Sequence, residues 1–364
     1  MNNPLEFERH IHRPRTVLVT GASGVVGQAL LPRLMSGSAH RPGERPAAPS
    51  VLGLVHHRDI SEPGVKTLRG SVTSPLLGLS PTEYEALAHR VDVIVHSAAV
   101  VSFNPAAGAH AAINVDGTRE VLTFAARAQA PVVHVSTAYL HAEDEPGHRR
   151  KSVRYAESKR AAEDLVRASG VPHTIVRPSI VMGASGTGEI SDFQGLYQVV
   201  GATMQGMLPI LPFERHWPLD LIPCDVVADA IATVVERNII GRELWLTAGD
   251  RALTIEQVTD VLVEHARRHG IALDKPRFVA PEMYYRLIAP VFLGALPRGM
   301  QKAVTSLMEM FLDYVSMEDP FPSSLAELAG LGGAPLTDSR ANLANSLGYW
   351  HAVTQESVSG EAVA

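Results

Sequence analysis

Thr16-Val-Leu-Val-Thr-Gly21-Ala-Ser-Gly24-Val-Val-Gly27 joins an apolar run to three glycines and leads straight into a helical stretch, Val25 to Met35. A buried strand, a tight turn and a helix follow from that order. Gly21 permits the turn, Gly24 removes a side chain from the place where an anion would approach, and Gly27 lets helix pack on strand. The free N–H groups at the helix start then point at a phosphate. The cradle so formed comprises Gly21, Ser23, Gly24, Val25, Val26 and Gly27. The spacing is G-x-x-G-x-x-G rather than G-x-G-x-x-G, and a tight turn with no ligand would use the same three glycines, so the rest of the chain has to decide between the two.

The 364 residues are enough for a large core and suit an α/β domain with a smaller additional region. A net charge of −6 without a basic run leaves no electrostatic footprint for nucleic acid. The single cysteine, Cys224, excludes an internal disulfide and suits a reducing compartment. The start, Met1-Asn-Asn-Pro and polar through Arg15, lacks the apolar core of a signal peptide, so the expected location is the cytoplasm. Leu287-Ile-Ala-Pro-Val-Phe-Leu-Gly-Ala-Leu296 is about half the length a bilayer crossing needs and contains Pro290; no transmembrane span is expected.

Further along, Gly37 to Pro49 has the composition of a long loop, and Val51 to Val55 is the second strand. The residue ending that strand meets the adenosine ribose in dinucleotide folds, where a carboxylate suits a free 2′-hydroxyl and cations suit a 2′-phosphate. Here the strand leads into His56-His57-Arg58, with no carboxylate before Asp59. Arg58, with His56 or with Arg33 of the first helix, suits NADPH better than NADH. Val65–Arg69 is the third strand, Pro81–Arg90 a helix capped by Ser80, and Val91–His96 the fourth strand. The small residues Ser97, Ala98 and Ala99 after it leave room for the nicotinamide-ribose half of a cofactor or simply pack closely. A helix, Ala106–Ala128, a fifth strand, Val132–Ser136, a helix, Tyr155–Ala168, and a sixth strand, Thr174–Arg177, complete the alternation. That alternation predicts a doubly wound parallel sheet of the α/β class, with ligands at the carboxyl ends of the strands.

The expected division is a polar extension over 1–14, a dinucleotide-binding domain over 15–183, a mainly helical substrate-binding region over 184–350 in which 219–250 returns to the sheet, and a flexible tail over 351–364. Helices are expected at Asp225–Arg237 and Thr254–Gly270, a strand at Glu243–Thr247, and two apolar helices over Pro281–Tyr314 interrupted near Pro297. Those two bury either a core or a greasy substrate channel.

Tyr155-Ala-Glu-Ser-Lys159 sets a phenol and an ammonium four residues apart, on one helical face. A phenol with a reference pKa near 10 becomes useful in proton transfer when a cation stabilises its phenolate, and Lys159 or an oxidised nicotinamide would do so. Thr137, just past the fifth strand, can hydrogen-bond the same substrate oxygen.

Glycine turn, small-residue run, hydroxyl and Tyr/Lys helix follow one another in the order of the extended short-chain dehydrogenase/reductases, which residues 15–247 resemble. Within that superfamily the chain is most similar to the fatty acyl-CoA reductase and carrier-protein thioester reductase branch. The residues that carry this are Pro75-Leu-Leu-Gly-Leu-Ser80, His96-Ser-Ala-Ala-Val-Val-Ser-Phe103, Asn114-Val-Asp-Gly-Thr118, His134-Val-Ser-Thr-Ala-Tyr139, Ile175-Val-Arg-Pro-Ser-Ile-Val181 and Asp220-Leu-Ile-Pro-Cys-Asp-Val-Val227. The resemblance implies a Rossmann-type fold, with Thr137 polarising the carbonyl, Tyr155 as acid/base, and Lys159 tuning it and binding the ribose. It assigns Gly21, Gly24 and Gly27 to the pyrophosphate, and Pro178, Ser179, Ile180 and Val181 to the nicotinamide side. The implied reaction is hydride transfer from NADPH to an acyl thioester, carried on CoA or on an acyl carrier protein, to give an aldehyde or alcohol. Two positions depart from the family pattern. Ser71 stands where an Asp usually follows Gly70, and His56 where an Arg usually follows strand two.

The sixteen histidines include no H-E-x-x-H or Cys/His ligand spacing, Gly183-Ala-Ser-Gly-Thr-Gly188 is not a G-x-S-x-G elbow, and no G-K-[ST] follows the glycines. No metal site is expected. Two other readings stay open: an extended reductase or epimerase acting on a free ketone, steroid-like or sugar-nucleotide substrate, and a non-catalytic NADP-binding sensor. Acyl chain, carrier, end product and oligomeric state are not legible.

Overall fold

A computed structural model describes residues 16–36, 49–101, 106, 108–140, 151–294 and 318–361, together with 298, 299, 301, 302, 304, 305 and 308. The expected extension over 1–14, nearly all of the loop from Gly37 to Pro49, Ser102 and Phe103 of the quoted stretch, and the break at Pro297 lie outside the described residues.

The sequence alternates as expected: β1 (Thr16–Thr20), α1 (Val25–Ser36), β2 (Ser50–Val55), β3 (Lys66–Arg69), α2 (Pro81–Ala88), β4 (Val93–His96), α3 (Gly117–Ala128), β5 (Val132–Val135), α4 (Lys151–Ala168) and β6 (His173–Pro178). A last strand, Glu243–Leu246, closes a seven-stranded sheet in the order β3-β2-β1-β4-β5-β6 and then Glu243–Leu246. Every pairing is parallel, with Val17 opposite Val51 and Val93, and Val133 opposite Thr174. Because strand side chains alternate, Val17, Val19, Val93, Val95, Val133 and Val135 join α1 and a further helix, α6 (Cys224–Glu236), in one core. Leu18, Ile94, Val132 and Ile175 join α2 and α3 in the other. Strand order reverses between β1 and β4, each continuing away from the other, so the carboxyl ends of these two strands border the crevice where such sheets bind ligands.

Local chemistry sets the helix starts. Ser80 accepts from the Glu83 amide while Glu83 reaches back to the Ser80 amide, a capping box, with Pro81 at the first turn. Thr254 and Gln257 do the same for α7 (Ile255–Arg268), whose end is followed by Gly270 at φ +70°.

Beyond β6 the chain forms a second core around α5 (Leu196–Met204) and α7, joined by Leu343 and Leu347. β7 (Ile180–Met182) pairs with Leu221–Pro223 and ties this region to the sheet. From Pro281 a helical run passes through a wide turn, Tyr284–Ile288, to Gly294. Tyr284 is buried, but Met283, Leu287 and Val291 are exposed, while Val304 and Met308 enter the second core. The tail expected from 351 is replaced, up to 361, by the helix Ser339–Glu361. Its anchors are Leu343 and Leu347, a short apolar stripe among polar residues that the sequence pattern hides. Among the described residues no helix is long and apolar enough to cross a membrane.

Candidate active site

Gly21 adopts φ +69°, and a Cβ there would lie 2.5 Å from the Ala98 nitrogen and 2.6 Å from the Ser97 carbonyl carbon. Only glycine lets the first turn sit against the exit of β4. A Cβ on Gly27 would strike the Gly21 oxygen at 2.3 Å, so the third glycine seats α1 on the turn. Gly24 differs: it is exposed, and a Cβ there would meet within 4 Å only the Gly21 oxygen, at 3.3 Å. Its bareness keeps clear the mouth of the crevice beside half-buried Ser23, Val25 and Val26. The cradle fits a pyrophosphate at a helix N-terminus.

Across from the cradle, Thr20 Oγ1 meets His96 Nδ1 at 2.7 Å, and His96 Nε2 meets Thr118 Oγ1 at 3.0 Å. Ser97, Ala98 and Ala99 are half-buried at this edge, and the Ser97 amide donates to the Thr20 carbonyl. Asn114 holds the next residue. Its Oδ1 accepts from the Val100 amide at 2.8 Å, while Nδ2 donates to the Val100 carbonyl at 3.2 Å and to Ser158 Oγ at 2.9 Å. Ser158 Oγ donates in turn to the Tyr155 carbonyl at 2.7 Å, so Asn114 couples the end of β4 to α4. Asn114 sits in a wide helical turn, His110–Asp116, that precedes α3. Asn114 is the buried residue of that turn, whose other members are half-buried or exposed.

Thr137, Tyr155 and Lys159 come together at the carboxyl end of β5. The Tyr155 phenol is hydrogen-bonded to the Thr137 side chain, and Thr137 Oγ1 accepts from the Tyr139 amide at 3.2 Å. Lys159 Nζ donates to the Val135 carbonyl at 2.7 Å. All three are buried. Burial pushes the Tyr155 phenol up to about 12, against the Thr137 hydrogen bond, and pulls the Lys159 ammonium down to about 8, against the Glu163 carboxylate. Burial and the Lys159 charge bring His96 down to about 3 and His134 well below the usual imidazole range. Both are neutral at physiological pH.

The segment from Pro178 to Val181, expected at the nicotinamide side, is fixed by one buried carboxylate. Asp220, 3% exposed, accepts at Oδ1 from Ser179 Oγ (2.5 Å) and the Ala248 amide (2.8 Å), and at Oδ2 from the Gly249 amide (2.9 Å). Its carbonyl accepts from the Ile180 amide at 3.3 Å, and the Pro178 carbonyl accepts from the Ala138 amide. Pro178 and Ser179 are buried, and Ile180 and Val181 half-buried, one strand over from Thr137.

Arg58 lies beyond β2 with its side chain 72% exposed, and its nearest ionic partner is Asp192, at 3.8 Å. Arg33 faces elsewhere, pairing with Asp229 of α6 at 3.3 Å. Asp59 pairs with Arg69. Among the described residues no group of three or more His, Cys, Asp or Glu side chains is arranged to hold a metal ion.

The NAD-binding family model described as "Male sterility protein" matches residues 53–231. The polyketide synthase-nonribosomal peptide synthetase ACE1 of Pyricularia oryzae is 30% identical over 277 residues, 68% of this chain and 7% of the synthetase. Glycine betaine reductase ATRR of Emericella nidulans is 30% identical over 263 residues, 64% of this chain and 21% of the reductase. The chain thus spans a small part of the length of these curated relatives. The crystal structure of the terminal R domain from the myxalamid PKS-NRPS biosynthetic pathway superposes with a TM-score of 0.68 at 26% identity, covering 93% of this chain and 90% of that one.

Fold, glycine turn and relatives together define a nicotinamide-dependent oxidoreductase of the extended short-chain dehydrogenase/reductase class. Within that class the chain is similar to the terminal R domain of the myxalamid pathway and to the synthetase and reductase relatives above.

Proposed function

We propose that this chain reduces the carbonyl of an acyl thioester with NADPH, releasing an aldehyde that a second turnover can take to the alcohol. The observation that carries the reading is the hydrogen-bonded Thr137–Tyr155 pair beside the buried Lys159, on the ligand edge of the sheet. Bound NADPH would supply the hydride. Thr137 and Tyr155 would donate to the thioester oxygen, holding it as charge develops there. Lys159 would stabilise the phenolate left when Tyr155 gives up its proton and would hold the ribose hydroxyls. A hydride at carbon and a proton at oxygen give a hemithioacetal, whose collapse breaks the C–S bond and releases thiol and aldehyde.

The second core, built on α5 and α7, is apolar, in keeping with an apolar acyl group. A carrier-bound substrate is supported by the company of the relatives, which are synthetases and a reductase domain of such pathways. Arg58 supports NADPH over NADH through its exposed guanidinium beyond the end of β2.

The test is to mix the protein with NADPH and, separately, acyl-CoA, acylated carrier protein or free ketones, and to follow absorbance at the nicotinamide band with product analysis. Aldehyde and thiol release from a thioester is the expected result. Turnover of ketones alone would overturn the thioester reading, and no turnover with any carbonyl would favour a sensor.

A further inference from the structure

Tyr155, Lys159, Glu163 and Arg167 follow one another at intervals of four on α4 and form a single stripe along the helix. The first three are 9%, 3% and 1% exposed, so the stripe faces the sheet from the reacting phenol inward. Glu163 is gripped from the far side. Arg177 of β6 donates from Nε to Oε1 at 2.9 Å and from Nη2 to Oε2 at 2.7 Å, and Arg167 Nη2 donates to Oε2 at 2.6 Å. Arg177 is itself held, lying over the Trp245 ring at 5.1 Å and donating to Glu243 Oε2 at 2.6 Å.

We propose that Glu163 is a positioning residue for the reaction, a clamped counter-charge that keeps Lys159 an ammonium beside the phenol. The inference rests on the reductase reading of Tyr155 and Lys159. Its physical basis is the neighbourhood of the lysine. From β4 and β5, Lys159 faces His96 and His134, which are neutral. From β6 the Arg177 cation lies beyond Glu163, and from its own helix Lys159 meets Tyr155, also neutral. Burial drives its proton off, and the Glu163 carboxylate opposes that. A buried carboxylate free to move would close on the ammonium and pull it away from the Val135 carbonyl and the phenol. The Arg177 fork prevents this, since two parallel N–H donors fix a carboxylate in plane and direction. Glu163 then acts on Lys159 through its field, leaving the ammonium donors for Val135 and for a ligand.

The experiment reads Lys159 directly. The chain has only five lysines, so protein labelled with 13C at lysine Cε gives few resonances, and Lys159→Arg identifies the one that matters. In the wild type this resonance is expected to titrate near pH 8. In Glu163→Gln, which keeps the shape and one acceptor for Arg177, the midpoint is expected to fall by about one pH unit, a tenfold change in the protonation equilibrium. The alkaline limb of kcat/KM should move with it, while activity at pH 6 stays within about twofold of wild type. An unmoved midpoint, or an activity loss equal at every pH, overturns the role. Should Glu163→Gln not fold, Glu163→Asp retains the charge. A midpoint near that of the wild type then supports the proposal, and one displaced by a full unit overturns it. The titration needs no turnover, so an inactive wild type would sink the reductase reading while the role of Glu163 is judged on the resonance alone.

Discussion

Ser179 Oγ and Asp220 Oδ1 are 2.5 Å apart across 41 residues of chain, and this contact fastens the segment that leaves β6 to the strand pair beneath the substrate region. Asp220 takes three donors on one buried carboxylate. Burial raises its pKa, while the three hydrogen bonds oppose the rise. Asp220→Asn turns one acceptor oxygen into a donor that faces a backbone N–H. The expected cost is about 1–3 kcal/mol for each donor left unpaired, seen as a lowered midpoint in urea unfolding. Because Ser179 loses its ionic anchor, NADPH affinity should fall along with stability. An Asn variant as stable as the wild type would show that backbone hydrogen bonds, such as Ala138 N–H to the Pro178 carbonyl and Ile180 N–H to the Asp220 carbonyl, hold the segment without the carboxylate.

Tyr155→Phe removes the phenolic oxygen and leaves the ring in its buried place. Turnover is expected to fall by roughly 10²–10⁴, the range of general acid–base catalysis, with NADPH affinity nearly unchanged by fluorescence titration. Thr137→Val, which also strips Tyr155 of its hydrogen-bond partner, should cost roughly 10²–10³ in kcat as an oxyanion donor is lost. Near wild-type rates in the Phe variant would remove Tyr155 from the chemistry.

Arg58→Ala tests cofactor choice. A charge-assisted hydrogen bond to phosphate is worth about 1.5–3 kcal/mol, so NADPH should bind roughly 10- to 100-fold more weakly and NADH hardly change. Asp192, 3.8 Å from Arg58, competes for the same guanidinium. Asp192→Asn should therefore tighten NADPH slightly and leave NADH alone. Equal effects on both cofactors in Arg58→Ala would place the 2′-phosphate elsewhere.

How much of this was legible follows from where each interaction sits in the chain. The glycine cradle and the Tyr155/Lys159 pair are local: a turn at positive φ and an i, i+4 pair need no knowledge of tertiary structure. The parallel sheet follows from alternating apolar runs and helices. Asp220 was not legible as an anchor because its partners lie 28, 29 and 41 residues away. The ion pair of Arg33 was hidden for the same reason, since Asp229 belongs to a helix nearly two hundred residues later. Glu163 is four residues from Lys159, but what makes it more than a surface acid is Arg177, and only the pairing of β5 with β6 under α4 brings that fork into range. The helix Ser339–Glu361 was hard to read because only a few apolar residues, Leu343, Ala344, Leu347 and Trp350, carry its packing on the second core.

His134 predicts how the fold responds to acid. Its ring is 1% exposed, neither nitrogen has a hydrogen-bond partner among the described residues, and the His96 ring lies 5.4 Å away. Burial, first, and then the Lys159 charge hold both imidazoles neutral far below pH 6.5. The unfolded chain takes up these two protons as pH falls through about 6.5 and the native state does not, so stability is intact above that pH and lost below it. Each imidazole contributes a slope of about 1.4 kcal/mol per pH unit below 6.5. Urea unfolding of the wild type should therefore weaken steeply between pH 6.5 and 5. His134→Leu removes one titrating group and two unpaired nitrogens, so at pH 7 it should equal or exceed the wild type, and its loss over the same interval should be smaller by about 2 kcal/mol. A variant with the wild-type slope would mean that His134 gains its proton within the folded protein.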